Sequence, residues 1–122
     1  MQVTIEKHGK IGMIRVPEGH LDVNSAKDFK SQVVPFLGEG GHVIIDLADV
    51  TFVDSSGFGV LLACLRQVQS NGGELRLCGL HTPVRMLFEV VRMNRLFTIC
   101  ENREEAVKSF APLKAKAQAS GR

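Results

Sequence analysis

The spacing of apolar residues changes several times along the chain, and each change predicts an element. In "VTIEKHGKIGMIRV" Val3 and Ile5 alternate with polar neighbours, His8-Gly9-Lys10 interrupts, and a second apolar stretch follows. That pattern predicts two strands joined as a hairpin, the second ended by Pro17. Ser25 or Asn24 supplies a polar cap for a helix whose apolar positions Ala26, Phe29, Val33 and Phe36 or Leu37 recur at roughly the helical period. Pro35 inside that pattern predicts a kink or an early end. "GEGG" then breaks the chain before "HVIIDL", an unbroken apolar run suited to a strand covered on both faces.

A second helix is predicted from "DSSGFG" onward, with Phe58, Leu61, Leu62, Leu65 and Val68 on one face and "NGG" as its stop. "ELRLCG" reads as a strand. Thr82-Pro83 offers a cap followed by proline at the first helical position, and Val84, Leu87, Phe88 and Val91 form the stripe behind it. "LFTIC" reads as a last strand. Asn102 with Glu105 resembles a capping box, leading a helix that turns Ala106, Val107 and Phe110 inward until Pro112. The order ββαβαβαβα predicts an α/β domain: a mixed, largely parallel sheet with an N-terminal antiparallel hairpin and about four helices. Residues 1–111 are expected to form the domain and 112–122 a flexible tail.

Composition narrows the chemistry. The chain has 122 residues, enough for a single core without staples, and 15 basic against 13 acidic residues give a net charge of +2. That balance makes no case for nucleic acid or an anionic membrane. The N-terminus lacks a signal-like apolar stretch and no run approaches spanning length, so a cytoplasmic protein is expected. Cys64, Cys78 and Cys100 lie far apart within apolar segments and read as buried free thiols. The histidines, His8, His20, His42 and His81, fall on predicted loops and strand ends without metal-ligand spacing. Ser55 and Ser56 do not sit in a Gly-x-Ser-x-Gly elbow, and "GEGG" has no following Lys-Ser/Thr, so neither hydrolysis nor a phosphate-cradling loop is favoured and no cofactor is expected.

"DSSGFG" is the stretch that the fold alone does not account for. Asp54 or Ser55 can cap the helix, and Gly57 and Gly59 can let it pack closely on a strand. Capping leaves unexplained two hydroxyls and two glycines where a helix is hardest to nucleate. A serine at a helix start beyond a strand's carboxyl end is open to ligands, small neighbours leave the backbone accessible, and the helix dipole favours an attached phosphate.

These residues resemble a known family. "EGHLD", "VIIDL", "DSSGFGVLL", "NGGELRL" and "VRMLFEVVRMNRLFTIC" together are similar to the STAS domain, specifically the bacterial anti-sigma factor antagonists, over roughly residues 3 to 110. Phe58 stands where the family usually has leucine. The resemblance implies a non-enzymatic regulator that works by partner switching. It binds an anti-sigma factor that is also a serine kinase of the histidine-kinase-like ATPase type, and it is released when Ser55, or less readily Ser56, is phosphorylated. A phosphoserine phosphatase would restore binding. Asp54 matches the acid before the serine, and Asp22 an acid in the neighbouring loop. The partner surface implied is Asp22, Asp54, Ser55, Ser56, Gly57, Phe58 and Gly59. The alternative is a non-switching STAS scaffold subunit of a lipid-transport ABC complex. An exposed edge strand in the hairpin leaves room for a homodimer.

Overall fold

The computed structural model describes residues 1–38 and 40–110. Strands β1 (Thr4–His8) and β2 (Ile11–Arg15) form the expected antiparallel hairpin around a two-residue turn. Strands β4 (His42–Asp46), β6 (Leu75–Cys78) and β7 (Thr98–Cys100) extend it in parallel, giving the order β1-β2-β4-β6-β7. Two more strands were not foreseen. β3 (His20–Leu21) and β5 (Phe52–Val53) pair in parallel as a separate two-stranded sheet. Two residues are too few to carry a readable alternation.

Helices α1 (Ala26–Leu37), α2 (Ser55–Ser70) and α3 (Thr82–Val90) follow β3, β5 and β6, and residues 103–110 form a further helix, α4. Pro35 neither ends α1 at once nor prevents its last residues: the helix runs through it to buried Leu37. So near the end, the missing N–H removes one bond and leaves no long segment to misalign. α3 starts at Thr82 with His81 as its cap, one residue earlier than Thr82-Pro83 predicted. In α4 the Glu105 N–H donates to Asn102 Oδ1 at 2.8 Å, while the Glu105 carboxylate accepts from the Glu101 N–H at 3.2 Å, so the expected box is shifted by one residue on its return bond. The predicted tail, including Pro112, lies outside the described residues.

Alternation along the strands divides the interior in two. Ile14, Ile45 and Leu77 join Phe29, Leu61, Val84 and Phe88 in the larger core under α1, α2 and α3. Met13, Ile44, Cys78 and Cys100 meet Ala106 and Phe110 of α4 on the other face. α4 is fastened over β4, β6 and β7. Arg103 Nε lies 2.6 Å from the buried carboxylate of Asp46, Arg76 donates to Ser109 Oγ at 2.9 Å, and Phe110 stacks on His42 with Arg76 over its ring. Five strands about 4.8 Å apart are roughly twice as wide as a helix of about 10 Å. One helix therefore leaves the hairpin side of this face uncovered, and Val107, expected to face inward, is 39% exposed there.

Candidate functional site

The small β3–β5 sheet sets the site. By pairing His20 with Phe52 and Leu21 with Val53, it brings the loop after β3 beside the start of α2. The Asp54 carboxylate joins the two. Its Oδ1 accepts from the Gly57 N–H at 3.0 Å, the N-cap bond of α2, and its Oδ2 accepts from the Val23 N–H at 3.1 Å. Asp22 shapes the same loop, its Oδ1 accepting from the N–H groups of Asn24 at 3.0 Å and Ser25 at 3.3 Å. Ser25 stands at the N-cap position of α1 but makes no cap bond. Its hydroxyl donates instead to the His20 carbonyl at 2.7 Å and accepts from the Asp22 N–H at 3.0 Å.

Ser55, the first residue of α2, is exposed; Ser56 is half-buried and Gly59 exposed. Gly57 and Phe58 turn inward. A Cβ on Gly57 would lie 2.0 Å from the Leu21 carbonyl oxygen, so only glycine lets α2 sit this close to β3. Phe58 packs edge-on against Phe88 at 4.9 Å. Within the anticipated surface these two hold the scaffold, Asp54 joins exposed Ser55 to the Asp22 loop, and Ser56 and Gly59 line a groove between α1 and α2 together with Lys27 and Lys30. A Cβ on Gly59 would meet nothing within 4 Å, so packing gives no reason for that glycine.

Two neighbours escaped the sequence reading. Val23 is 67% and Phe52 44% exposed, and the Phe52 ring meets His20 edge-on at 5.7 Å. The sequence held no usable signal for them: Val53 is buried, so Phe52 faces away from the core, but a strand of two residues shows this only once it is paired. Beside them opens a cleft of about 490 Å³ whose walls carry Glu18, His20, Asp22 and Asp28. The Met1 ammonium, hydrogen-bonded to Asp28, holds that carboxyl below its usual range. Among the described residues no group of three or more His, Cys, Asp or Glu could hold a metal ion, and no helix is long and apolar enough to cross a membrane.

The family model of the STAS domain matches residues 2–106. The chain belongs to the STAS domain family. This STAS domain is 31% identical over 90 residues to the anti-sigma-B factor antagonist of Bacillus subtilis strain 168, covering 74% of this chain and 83% of that protein. It is 26% identical over 109 residues to the anti-sigma F factor antagonist of Paenibacillus polymyxa, covering 88% and 92%. Its fold matches that of the anti-sigma factor antagonist SpoIIAA in its unphosphorylated form, with a TM-score of 0.74 at 21% identity over 91% of this chain and 97% of that one. The Bacillus protein SpoIIAA in its phosphorylated form matches with a TM-score of 0.66 at 20% identity, over 89% and 99%. The mixed sheet, its antiparallel hairpin and the parallel remainder are those of the STAS fold.

Proposed function

We propose that this STAS domain is an anti-sigma factor antagonist that works by partner switching, with Ser55 as its phosphoacceptor. The observation that carries the reading is an exposed serine at the head of α2, in one corner with Asp22, Asp54 and the exposed side chains of Val23 and Phe52. The names of its curated relatives and the two phosphorylation forms of SpoIIAA support it. In the unphosphorylated state the apolar pair and the free hydroxyl dock against an anti-sigma factor of the histidine-kinase-like ATPase type, freeing its sigma factor. That kinase supplies the ATP, and the STAS domain supplies the hydroxyl.

Phosphorylation adds about −1.5 to −2 charges at pH 7. In the free domain the amides and dipole of α2 accommodate them, so the helix persists. In the complex the same charges must be desolvated near Asp22 and Asp54. A penalty of about 3 kcal/mol there weakens binding about 150-fold, enough for release without unfolding. A phosphoserine phosphatase resets the switch.

The test uses wild type, Ser55→Ala and Ser55→Asp as parallel baits in the native lysate, with mass spectrometry of the retained proteins and of the phosphosite formed on adding ATP. A histidine-kinase-like ATPase held by wild type and Ser55→Ala, lost by Ser55→Asp, and placing its phosphate on Ser55 is the expected result. A transporter ATPase held equally by all three would overturn the switch. The domain would then be a structural subunit and "DSSG" no more than a helix cap.

A further inference from the structure

The groove between α1 and α2 has a volume of about 260 Å³ and begins at Ser56, the neighbour of Ser55. Lys27 and Lys30 stand on its α1 wall, and Ser56, Gly59 and Ala63 on its α2 wall. Both lysines are exposed, and among the described residues neither makes an ion pair. They are three residues apart on one helix, a spacing at which like charges repel. No acid stands three or four residues from either, so the fold carries that repulsion without an offset.

Charge along the groove has one sign. α2 contains no acidic residue, and exposed Arg66 follows Ala63 on the same stripe of the helix. The one acid of α1, Asp28, lies 3.1 Å from the Met1 ammonium and faces a different cleft. Near the groove's head, Asp54 is held by the amides of Gly57 and Val23, and Asp22 by those of Asn24 and Ser25. Neither lines the groove. Gly59 adds shape: a side chain there would meet nothing within 4 Å, so the fold does not require glycine, whereas a closely approaching chain does.

We propose that this groove docks an acidic segment of the anti-sigma factor, with Lys27 and Lys30 pairing its carboxylates as the segment passes over Gly59. The proposal rests on the partner-switch reading: a kinase that reaches the Ser55 hydroxyl stands over a groove that begins one residue away. Ser55 then decides whether the complex forms, and the two lysines decide which ATPase it forms with.

The test uses the purified full chain and the ATPase that it retains. Affinity is measured at low and high salt, and contacts are trapped with a carbodiimide, which condenses an amine with a carboxylate that touches it. Lys27→Glu combined with Lys30→Glu should weaken binding at least about tenfold at low salt, mainly through slower association, and less at high salt. Lys108→Glu, on α4 across the sheet, should change affinity less than about twofold. Amide cross-links should join Lys27 or Lys30 to an Asp or Glu of the ATPase. Unchanged affinity in the double variant, while Ser55→Asp still releases the ATPase, overturns the groove and leaves the switch standing. An equal loss in Lys108→Glu, or no cross-link from either lysine, overturns it too, because the lysines would then act only through net charge. Saturable binding of ATP alone in the groove would make it a small-anion site and overturn it as well. No ATPase retained, or one held equally by Ser55→Asp, would fail the switch itself and the proposal with it.

Discussion

Gly57 and Gly59 are two residues apart in one helix and have opposite reasons to be glycine. A methyl on Gly57 meets the Leu21 carbonyl oxygen at 2.0 Å and Val53 Cγ1 at 2.8 Å, whereas one on Gly59 meets open space. Gly57→Ala should therefore destabilise by about 1–3 kcal/mol, as overpacking does, read from the urea midpoint. Gly59→Ala should stabilise by about 1 kcal/mol, the helix preference of alanine. If the partner approaches α2 closely at Gly59, the same variant binds the anti-sigma factor more weakly despite being more stable. A less stable Gly59→Ala would show that the space seen there is not free. The sequence made the cost of both glycines visible and hid the difference between them, because what separates them is a carbonyl 36 residues away in sequence. Val23 and Phe52 were hidden for a similar reason: their exposure depends on a two-residue strand pair that only the assembled chain defines.

Among the elements, α4 is held to the sheet by polar ties as well as by its apolar face. Asp46 is buried and accepts from Arg103 and from the Ala48 N–H. Arg103→Gln leaves a buried carboxylate short of its cation, which in a fully enclosed pair costs about 3–5 kcal/mol. Arg103 is partly open to water, so the expected loss is about 2 kcal/mol. Amide exchange should rise first at residues 103–110; uniform acceleration over the chain would mean that α4 does not open separately. The capping pair Asn102 and Glu105 announced this helix, and Ala106 and Phe110 its inner face. Val107 was misplaced because helical periodicity assumes a covered sheet, and here the sheet is wider than its cover. Long periodic elements such as α2 and the buried strand β4 were legible from local pattern alone, whereas which helix covers which face was not.

For the whole molecule, stability against pH has two limbs. Arg15 beside Asp49 and the Met1 ammonium beside Asp28 depress those carboxyls. A depressed folded value gives stability that is present above the unfolded value and lost as pH falls through the folded one, so the acid limb lies below about pH 4. Both carboxyls are exposed, so this limb should be shallow. Burial pushes the Cys64 and Cys78 thiols up to about 12. Their contribution is complete below an unfolded value of about 8.5 and is lost as pH rises toward the folded value, giving an alkaline limb that Cys64→Ala should flatten in urea midpoints measured from pH 8 to 11. None of the three free cysteines should react with a disulfide reagent at pH 8 before unfolding. Rapid labelling of one would contradict its burial.

The Asp54 carboxylate spans two segments with its two oxygens, one on Gly57 of α2 and one on Val23 of the loop. The two amides therefore share one latch. When that carboxylate swings away, both protons become available to solvent together, although they belong to segments 34 residues apart. In hydrogen exchange they should behave as a correlated pair and respond in parallel to Asp54→Ala. The loop that would greet a partner and the helix that carries the serine then fluctuate as one hinge.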